Sequence, residues 1–127
     1  MDLQIPAVVR ILGQEFLVRV VPRDEAVSRH AVHETVGQTD LNLQRIAIRG
    51  PEDLSPHQAV ETLLHEVLHG VVYLFNLGEY LREDSSSEGF VRALSPALMH
   101  TLRDNPQLVE ALMGDLAQAR PVEPHAH

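Results

Sequence analysis

A long apolar run that begins at a helix start signal constrains the fold of this chain more than any other feature. Ser55 predicts an N-cap, Pro56 the first helical position, and Gln58 the closure of a capping box. Gly78 predicts the C-terminal end of the helix. Between them lie the apolar residues Val60, Leu63, Leu64, Val67, Leu68, Val71, Val72, Leu74 and Phe75. They cover most of the helix circumference, which predicts a buried helix.

Within this helix, His65, Glu66 and His69 form the pattern H-E-x-x-H. Residues four apart lie one above the other on a helix, so the two histidines can offer two imidazole nitrogens to one metal ion. Glu66 lies one position round from His65, where it can take a proton from a water on that ion. This combination of ligands, water and carboxylate base is the one that zinc hydrolases use. Polar residues on a buried helix also need a function, since uncompensated burial costs several kcal/mol.

The same residues have a simpler interpretation as an exposed polar stripe, extended by Thr62 and Tyr73 on an amphipathic helix. Eight histidines in 127 residues make an accidental match easier. On this interpretation the chain binds no metal, and a chelator leaves its melting temperature unchanged.

Composition predicts one globular domain over residues 1–118, with a flexible tail at 119–127. The absence of cysteine excludes a disulfide framework and a cysteine-based zinc site. All ten basic residues are scattered arginines, which predicts solvated surface charge, and the net charge of −8 argues against nucleic-acid binding. With no signal peptide and no apolar run of membrane-spanning length, we expect a cytoplasmic protein without a membrane partner. The histidines of the tail, His125 and His127, are expected to be incidental.

The order of predicted elements indicates an α+β domain, with a small, mostly antiparallel sheet of about four strands followed by three helices. Residues 7–12 and 15–21 predict a hairpin around Gly13-Gln14. Residues 35–40 and 44–49 predict a second hairpin, and residues 22–34 a loop or a short helix.

Two further helices are predicted after a polar link at residues 79–87. The second helix is marked by the apolar spacing of Phe90, Val91, Leu94, Leu98 and Leu102. Asn105-Pro106 predicts the N-cap and first position of a third helix. Its apolar stripe consists of Leu108, Val109, Leu112, Met113 and Leu116.

A catalytic zinc ion usually has three protein ligands, so a third is expected besides the histidines. The candidates are Glu79, Glu83, Asp84, Glu88 and His100. We predict Glu88, because it lies in line with the apolar residues that we expect to face inward on the second helix. His100 lies about 18 Å further along that helix, too far to share the metal, and is expected to be a surface or packing residue. Alternatively, residues 85–88 form a capping box in which Glu88 needs no metal.

Residues 62–70, 88–95 and 102–106 resemble small zinc metallopeptidase-like proteins of phage and prophage genomes, which are similar to minimal gluzincins. The resemblance covers roughly residues 7–117. It implies one Zn²⁺ per chain on His65, His69 and Glu88, with Glu66 as general base and a peptide or protein as substrate. The chain departs from larger gluzincins at Arg92, where they often carry an aspartate four residues after the third ligand.

These observations predict a zinc-dependent peptidase. The strand at 44–49 could pair with an extended substrate, although ordinary sheet pairing would explain it equally well. Tyr80, His30 and His33 could stabilise the oxyanion, whereas Tyr73 is expected to pack within the protein. The alternative is a weakly active or inactive regulatory protein on the same scaffold, in which zinc pins two helices together. The sequence predicts no particular oligomeric state.

Overall fold

Four strands form one mixed sheet with the spatial order β1-β2-β4-β3. The computed structural model describes residues 5–22, 36–82 and 87–119. The strands are β1 (Val8–Ile11), β2 (Gln14–Val21), β3 (Gly37–Asp40) and β4 (Arg45–Arg49). The pairs β1–β2 and β3–β4 are antiparallel, as the two predicted hairpins require, while β2 and β4 are parallel. The predicted α+β class and mostly antiparallel sheet are confirmed.

Three α-helices follow the sheet: α1 (Pro56–Leu74), α2 (Ser87–Asp104) and α3 (Pro106–Ala119). A 3₁₀ helix, Leu77–Arg82, lies between α1 and α2. None of the helices in these described ranges is long and apolar enough to cross a membrane. Most of the predicted segment 22–34 and nearly all of the predicted tail lie outside the described residues.

The first hairpin turns one residue earlier than its sequence predicts. Leu12 and Gly13 have φ angles of 51° and 77°, and Ile11 pairs with Gln14. Two successive left-handed residues are typical of the type I′ turn, whose twist matches that of the flanking strands. The turn is therefore Leu12-Gly13, and Gln14 belongs to β2.

Helix α1 begins as predicted and ends earlier than predicted. Both hydrogen bonds of the capping box are present: the Gln58 backbone N–H donates to the Ser55 hydroxyl, and the Ser55 N–H donates to the Gln58 side chain. The helix ends at Leu74, and Asn76 then adopts a left-handed φ of 56°. Asparagine tolerates this conformation, so it ends the helix in place of glycine. Gly78 lies in the 3₁₀ helix instead.

One face of the sheet packs against α1 and forms the main core. Its buried members are Val9, Ile11, Phe16, Ile46, Ile48, Leu63, Val67, Val71, Leu77, Ala97 and Leu108. Gly70 permits a close approach of helix and sheet, because an added Cβ would lie 2.6 Å from Cδ1 of Ile11. The opposite side of α1 is exposed at His65, His69 and Tyr73, so the prediction of a helix buried all round is wrong.

The inward face of α2 matches the predicted one only in part. Val91 is 50% exposed and Glu88 is also exposed, whereas Ala97 and Thr101 are buried. The half-buried Phe90, Ala93 and Leu94 complete the packed face. Small residues allow the helix to approach its neighbours closely, so Ala93, Ala97 and Thr101 share the inward face with the predicted Phe90 and Leu94.

Helix α3 begins at Pro106 as predicted, but the Asn105 side chain serves the sheet. Its amide oxygen accepts a hydrogen bond from the Arg10 backbone N–H at 2.6 Å. Its amide nitrogen donates to the carbonyl oxygens of Arg10 (2.5 Å) and Thr101 (2.8 Å). Asn105 therefore pairs with the outer edge of β1, an edge that no strand of the described residues covers.

Some of the arginines are gathered rather than scattered. The strand register places Arg10, Arg19, Arg45 and Arg49 on the outer face of the sheet, opposite the core. Glu15 lies on the same face and pairs with Arg10 at 3.1 Å. Four of the ten arginines thus share one surface, which the linear sequence does not reveal.

Candidate metal centre

The two histidines of the motif converge on one point. Their Nε2 atoms lie 3.1 Å apart, and their ring centroids lie 4.7 Å apart at an interplanar angle of 81°. An ion bonded to both nitrogens at about 2.05 Å would have a nitrogen–metal–nitrogen angle of about 100°, close to tetrahedral. The same distance also fits one N–H···N hydrogen bond between the rings. The donor set and its spacing thus fit zinc.

Glu66 lies beside this pair but is buried, with 6% of its surface exposed. Strand β3 holds its carboxylate: the Thr39 hydroxyl lies 2.6 Å from Glu66 Oε1 and 3.0 Å from the Glu66 carbonyl oxygen. A carboxylate that faced solvent would need no hydrogen bond from the protein, since water would donate hydrogen bonds to it. The burial and this hydrogen bond therefore separate Glu66 from a simple exposed polar stripe.

Gly37 makes room for the Glu66 carboxylate on the same strand. A Cβ added at Gly37 would lie 2.9 Å from Glu66 Oε2 and 2.8 Å from Cγ2 of Thr62. Such distances are shorter than real side chains allow, so α1 and β3 can approach this closely only with glycine here. Neither Gly37 nor Thr39 belongs to a motif that the sequence could have revealed.

The histidines and Glu66 line one open cleft of about 960 Å³. Helix α1 and the residues after it contribute His65, Glu66, His69, Val72, Tyr73, Leu74, Asn76 and Gly78. Strand β3 and the following turn contribute Gly37, Gln38, Thr39 and Leu41. Both candidate ligands and the candidate base therefore face a space large enough for a peptide segment.

Strand β3 gives this cleft a sheet edge. The Arg49 N–H donates to the Val36 carbonyl at 3.0 Å, which identifies Val36 and Arg49 as a hydrogen-bonded pair. Pairing alternates along an antiparallel ladder, so Gly37 and Thr39 direct their own N–H and C=O groups away from β4. Strand β4 lies between β2 and β3 and has no free edge. Residues 44–49 therefore have the ordinary sheet-pairing role that was the alternative to substrate pairing, and β3 is the strand at the edge of the sheet that the described residues form.

The structure does not bring Glu88 to the histidines. Glu88 lies in the first turn of α2 with 74% of its side chain exposed, and its Oε2 lies 3.3 Å from Nη2 of Arg92. Across residues 5–22, 36–82 and 87–119, no three His, Cys, Asp or Glu side chains are grouped to hold a metal. Glu88 as a ligand stays a prediction, while its predicted inward orientation is wrong.

The remaining candidates separate into four groups. His100 is exposed, and its ring packs edge-on against Phe75 at 5.8 Å, as expected for a surface or packing residue. Tyr80 and Glu79 line a second, smaller cavity with His100. Tyr73, in contrast, is 63% exposed and lines the cleft, so its expected packing role is wrong. The other candidates, His30, His33, Glu83 and Asp84, lie outside the described residues.

Comparisons with protein-family models, with curated proteins and with solved structures find no match to this chain. The chemistry of the site is therefore inferred from its own residues and geometry.

Proposed function

We propose that this protein is a zinc-dependent metallopeptidase in which His65 and His69 bind the metal and Glu66 acts as general base. One observation carries the proposal: two imidazole nitrogens converge to 3.1 Å beside a buried carboxylate, in one open cleft. When bound, zinc supplies a Lewis acid and lowers the pKa of a coordinated water to about 7.

Glu66 moves the protons of the reaction. It accepts a proton from the attacking water as the water oxygen bonds to the carbonyl carbon of the peptide. It then passes this proton to the leaving nitrogen as the C–N bond breaks. The hydrogen bond from Thr39 limits the orientations of the carboxylate, so that less conformational freedom is lost on reaching the reactive geometry.

Strand β3 positions the substrate in this proposal. An extended peptide can add to the sheet by pairing with the outward N–H and C=O groups of Gly37 and the outward N–H of Thr39. The Thr39 carbonyl joins this pairing when it exchanges its contact with the Gln38 side chain. The side chain of Thr39 contacts Glu66, so the strand that binds the peptide also holds the base. This arrangement favours extended or unfolded substrates, whose backbones are free to pair.

Binding of a third ligand from Glu88 would require the exchange of its contact with Arg92. Both side chains are largely exposed, at 74% and 78%, so loss of this ion pair costs about 0–1 kcal/mol. The weak pairing presents little resistance to this exchange, and binding would also require the first turn of α2 to approach His65 and His69.

A non-catalytic zinc-binding regulatory protein is the alternative. It is favoured by the absence of any cationic side chain among the described residues that line the cleft. Zinc peptidases commonly add a donor beside the metal to stabilise the oxyanion. A regulatory protein would bind zinc at His65 and His69 without cleaving peptides.

The test combines zinc content with hydrolysis. Purified wild type and Glu66→Gln are freed of loosely bound metal, analysed for zinc, and incubated with fluorescently labelled, denatured casein. We expect about one zinc per chain in both proteins, with hydrolysis by wild type alone and its loss on chelation. Zinc without hydrolysis by wild type would favour the regulatory alternative. Failure to retain added zinc would overturn both functions.

A further inference from the structure

Tyr73 continues the stripe that the two histidines begin. It follows His69 by four residues and His65 by eight, so all three lie on one face of α1. One helical turn advances about 5.4 Å, and helical side chains lean toward the N-terminus. For Tyr73 this direction leads toward His69. A tyrosine side chain is long enough to span one turn, so a Tyr73 side chain that leans toward His69 would bring its phenol to the metal position.

The environment of Tyr73 differs from that of a packing residue. Its side chain is 63% exposed in the open cleft, whereas its neighbours Gly70 and Val71 are buried. Its hydroxyl makes no hydrogen bond to any residue in the described part of the chain. The phenol therefore faces the cleft with an unused donor.

The other described side-chain donors that line the cleft either make hydrogen bonds within the protein or lie off the helix face that carries the two histidines. The Thr39 hydroxyl contacts Glu66, and the Gln38 side chain donates to the Thr39 carbonyl at 3.3 Å. Asn76 lies beyond Leu74, the last residue of α1, and its backbone is left-handed, so it does not continue the helix face of His65 and His69. Among the described side chains of the cleft, Tyr73 follows His69 by one helical turn, and its hydroxyl donates to no other described residue.

We propose that Tyr73 is a catalytic residue that donates a hydrogen bond to the substrate carbonyl oxygen as negative charge develops there. This inference rests on the proposed peptidase function and supplies a side-chain donor for the oxyanion on the helix face that carries the two histidines. The phenol forms no covalent bond and keeps its proton. Removal of one such donor typically lowers kcat by about 10²–10³-fold.

The first arm of the test compares Tyr73→Phe with Tyr80→Phe. Each substitution removes one hydroxyl and keeps the ring, and Tyr80 lines the other cavity. We expect Tyr73→Phe to lower kcat about 100-fold with KM and zinc content nearly unchanged. We expect Tyr80→Phe to match wild type. Equal kcat values for Tyr73→Phe and wild type, both loaded with zinc, would overturn the role of Tyr73 and leave the peptidase function intact.

The second experiment does not depend on peptide cleavage. The chain has two tyrosines, so protein labelled with 3-fluorotyrosine gives two ¹⁹F resonances, which the Phe variants assign. Zinc is replaced by paramagnetic Co²⁺, and a phosphonamidate peptide is then added as a tetrahedral anionic mimic of the transition state. We expect Co²⁺ to broaden or shift the Tyr73 resonance far more than that of Tyr80. We also expect the mimic to shift the Tyr73 resonance and to bind at least 10-fold more weakly to Tyr73→Phe.

Each result of this arm supports or overturns the inference. Equal effects of bound Co²⁺ on both resonances, or equal affinity of the mimic for wild type and Tyr73→Phe, would overturn it. If the protein binds Co²⁺ and the mimic but cleaves no peptide, the peptidase function fails while Tyr73 keeps its place beside the metal. A protein that binds no metal would overturn both.

Discussion

The Thr39 hydroxyl lies 2.6 Å from Oε1 of Glu66, which joins the edge strand of the sheet to the carboxylate of the H-E-x-x-H motif. The two residues are 27 positions apart in the chain. Strand β3 thus holds the candidate base and, within the described residues, also forms the edge of the sheet at the same cleft.

Replacement of Thr39 by valine keeps the shape of the side chain and removes the hydroxyl. A hydrogen bond to a charged group contributes about 1.5–3 kcal/mol, so we expect kcat to fall at least about 10-fold. Zinc content and KM should change little. Thr39→Ser restores the hydroxyl and should recover most of the activity. If valine and serine at this position give equal kcat values, Thr39 does not position the base.

Replacement of Gly37 by alanine places a Cβ 2.9 Å from Glu66 Oε2. We expect the free energy of unfolding to fall by about 1–3 kcal/mol, because α1 and β3 must move apart. Urea denaturation measures the effect. Gly78→Ala is the matched control, since a Cβ at Gly78 meets no atom within 4 Å. Equal losses of stability at the two positions would contradict the close contact between α1 and β3.

Loss of the Asn105 side chain removes three hydrogen bonds at a buried position. Asn105→Ala leaves the Arg10 backbone groups without this partner, so we expect unfolding free energy to fall by about 1–3 kcal/mol. Asn42→Ala changes an exposed asparagine in the second hairpin and serves as control. A stability of Asn105→Ala equal to that of wild type would show that the contact with β1 contributes little.

Zinc should stabilise the folded protein through His65 and His69. At a free zinc concentration of 100 times Kd, the stabilisation is about 2.7 kcal/mol, which a rise in Tm would reveal. His65→Ala and His69→Ala should abolish the rise, whereas His100→Ala, on an exposed histidine packed against Phe75, should keep it. A zinc-dependent rise in Tm that survives both substitutions would place the metal elsewhere.

The third ligand is tested by two substitutions with opposite expected effects. Glu88→Ala should weaken zinc binding at least about 10-fold if Glu88 is a ligand. Arg92→Ala removes the residue that contacts Glu88 and should strengthen zinc binding. Isothermal titration calorimetry with zinc measures both. Zinc affinities equal to that of wild type in both variants would exclude Glu88 from the site.

Features that depend on near neighbours in the chain were predicted from the sequence. The capping box of Ser55 and Gln58 operates within one helical turn, and the start of α3 at Pro106 is equally local. The convergence of His65 and His69 follows from the helical repeat alone. Both hairpins were recognised from turns between short apolar strands, although the first was displaced by one residue.

Tertiary structure alone decided what surrounds the histidines. The parallel pairing of β2 with β4 places β3 at the edge, and no local pattern in either strand specifies this pairing. The contacts of Thr39 with Glu66 and of Asn105 with Arg10 span 27 and 95 residues. The orientation of α2 and the exposure of Glu88 depend on which neighbours that helix meets. The sequence determined the helix, the motif and the spacing of its histidines, because these arise from short-range geometry. The packing of distant segments determined which carboxylate is held, which described strand lies at the edge of the sheet, and that the histidine face of α1 lines a cleft.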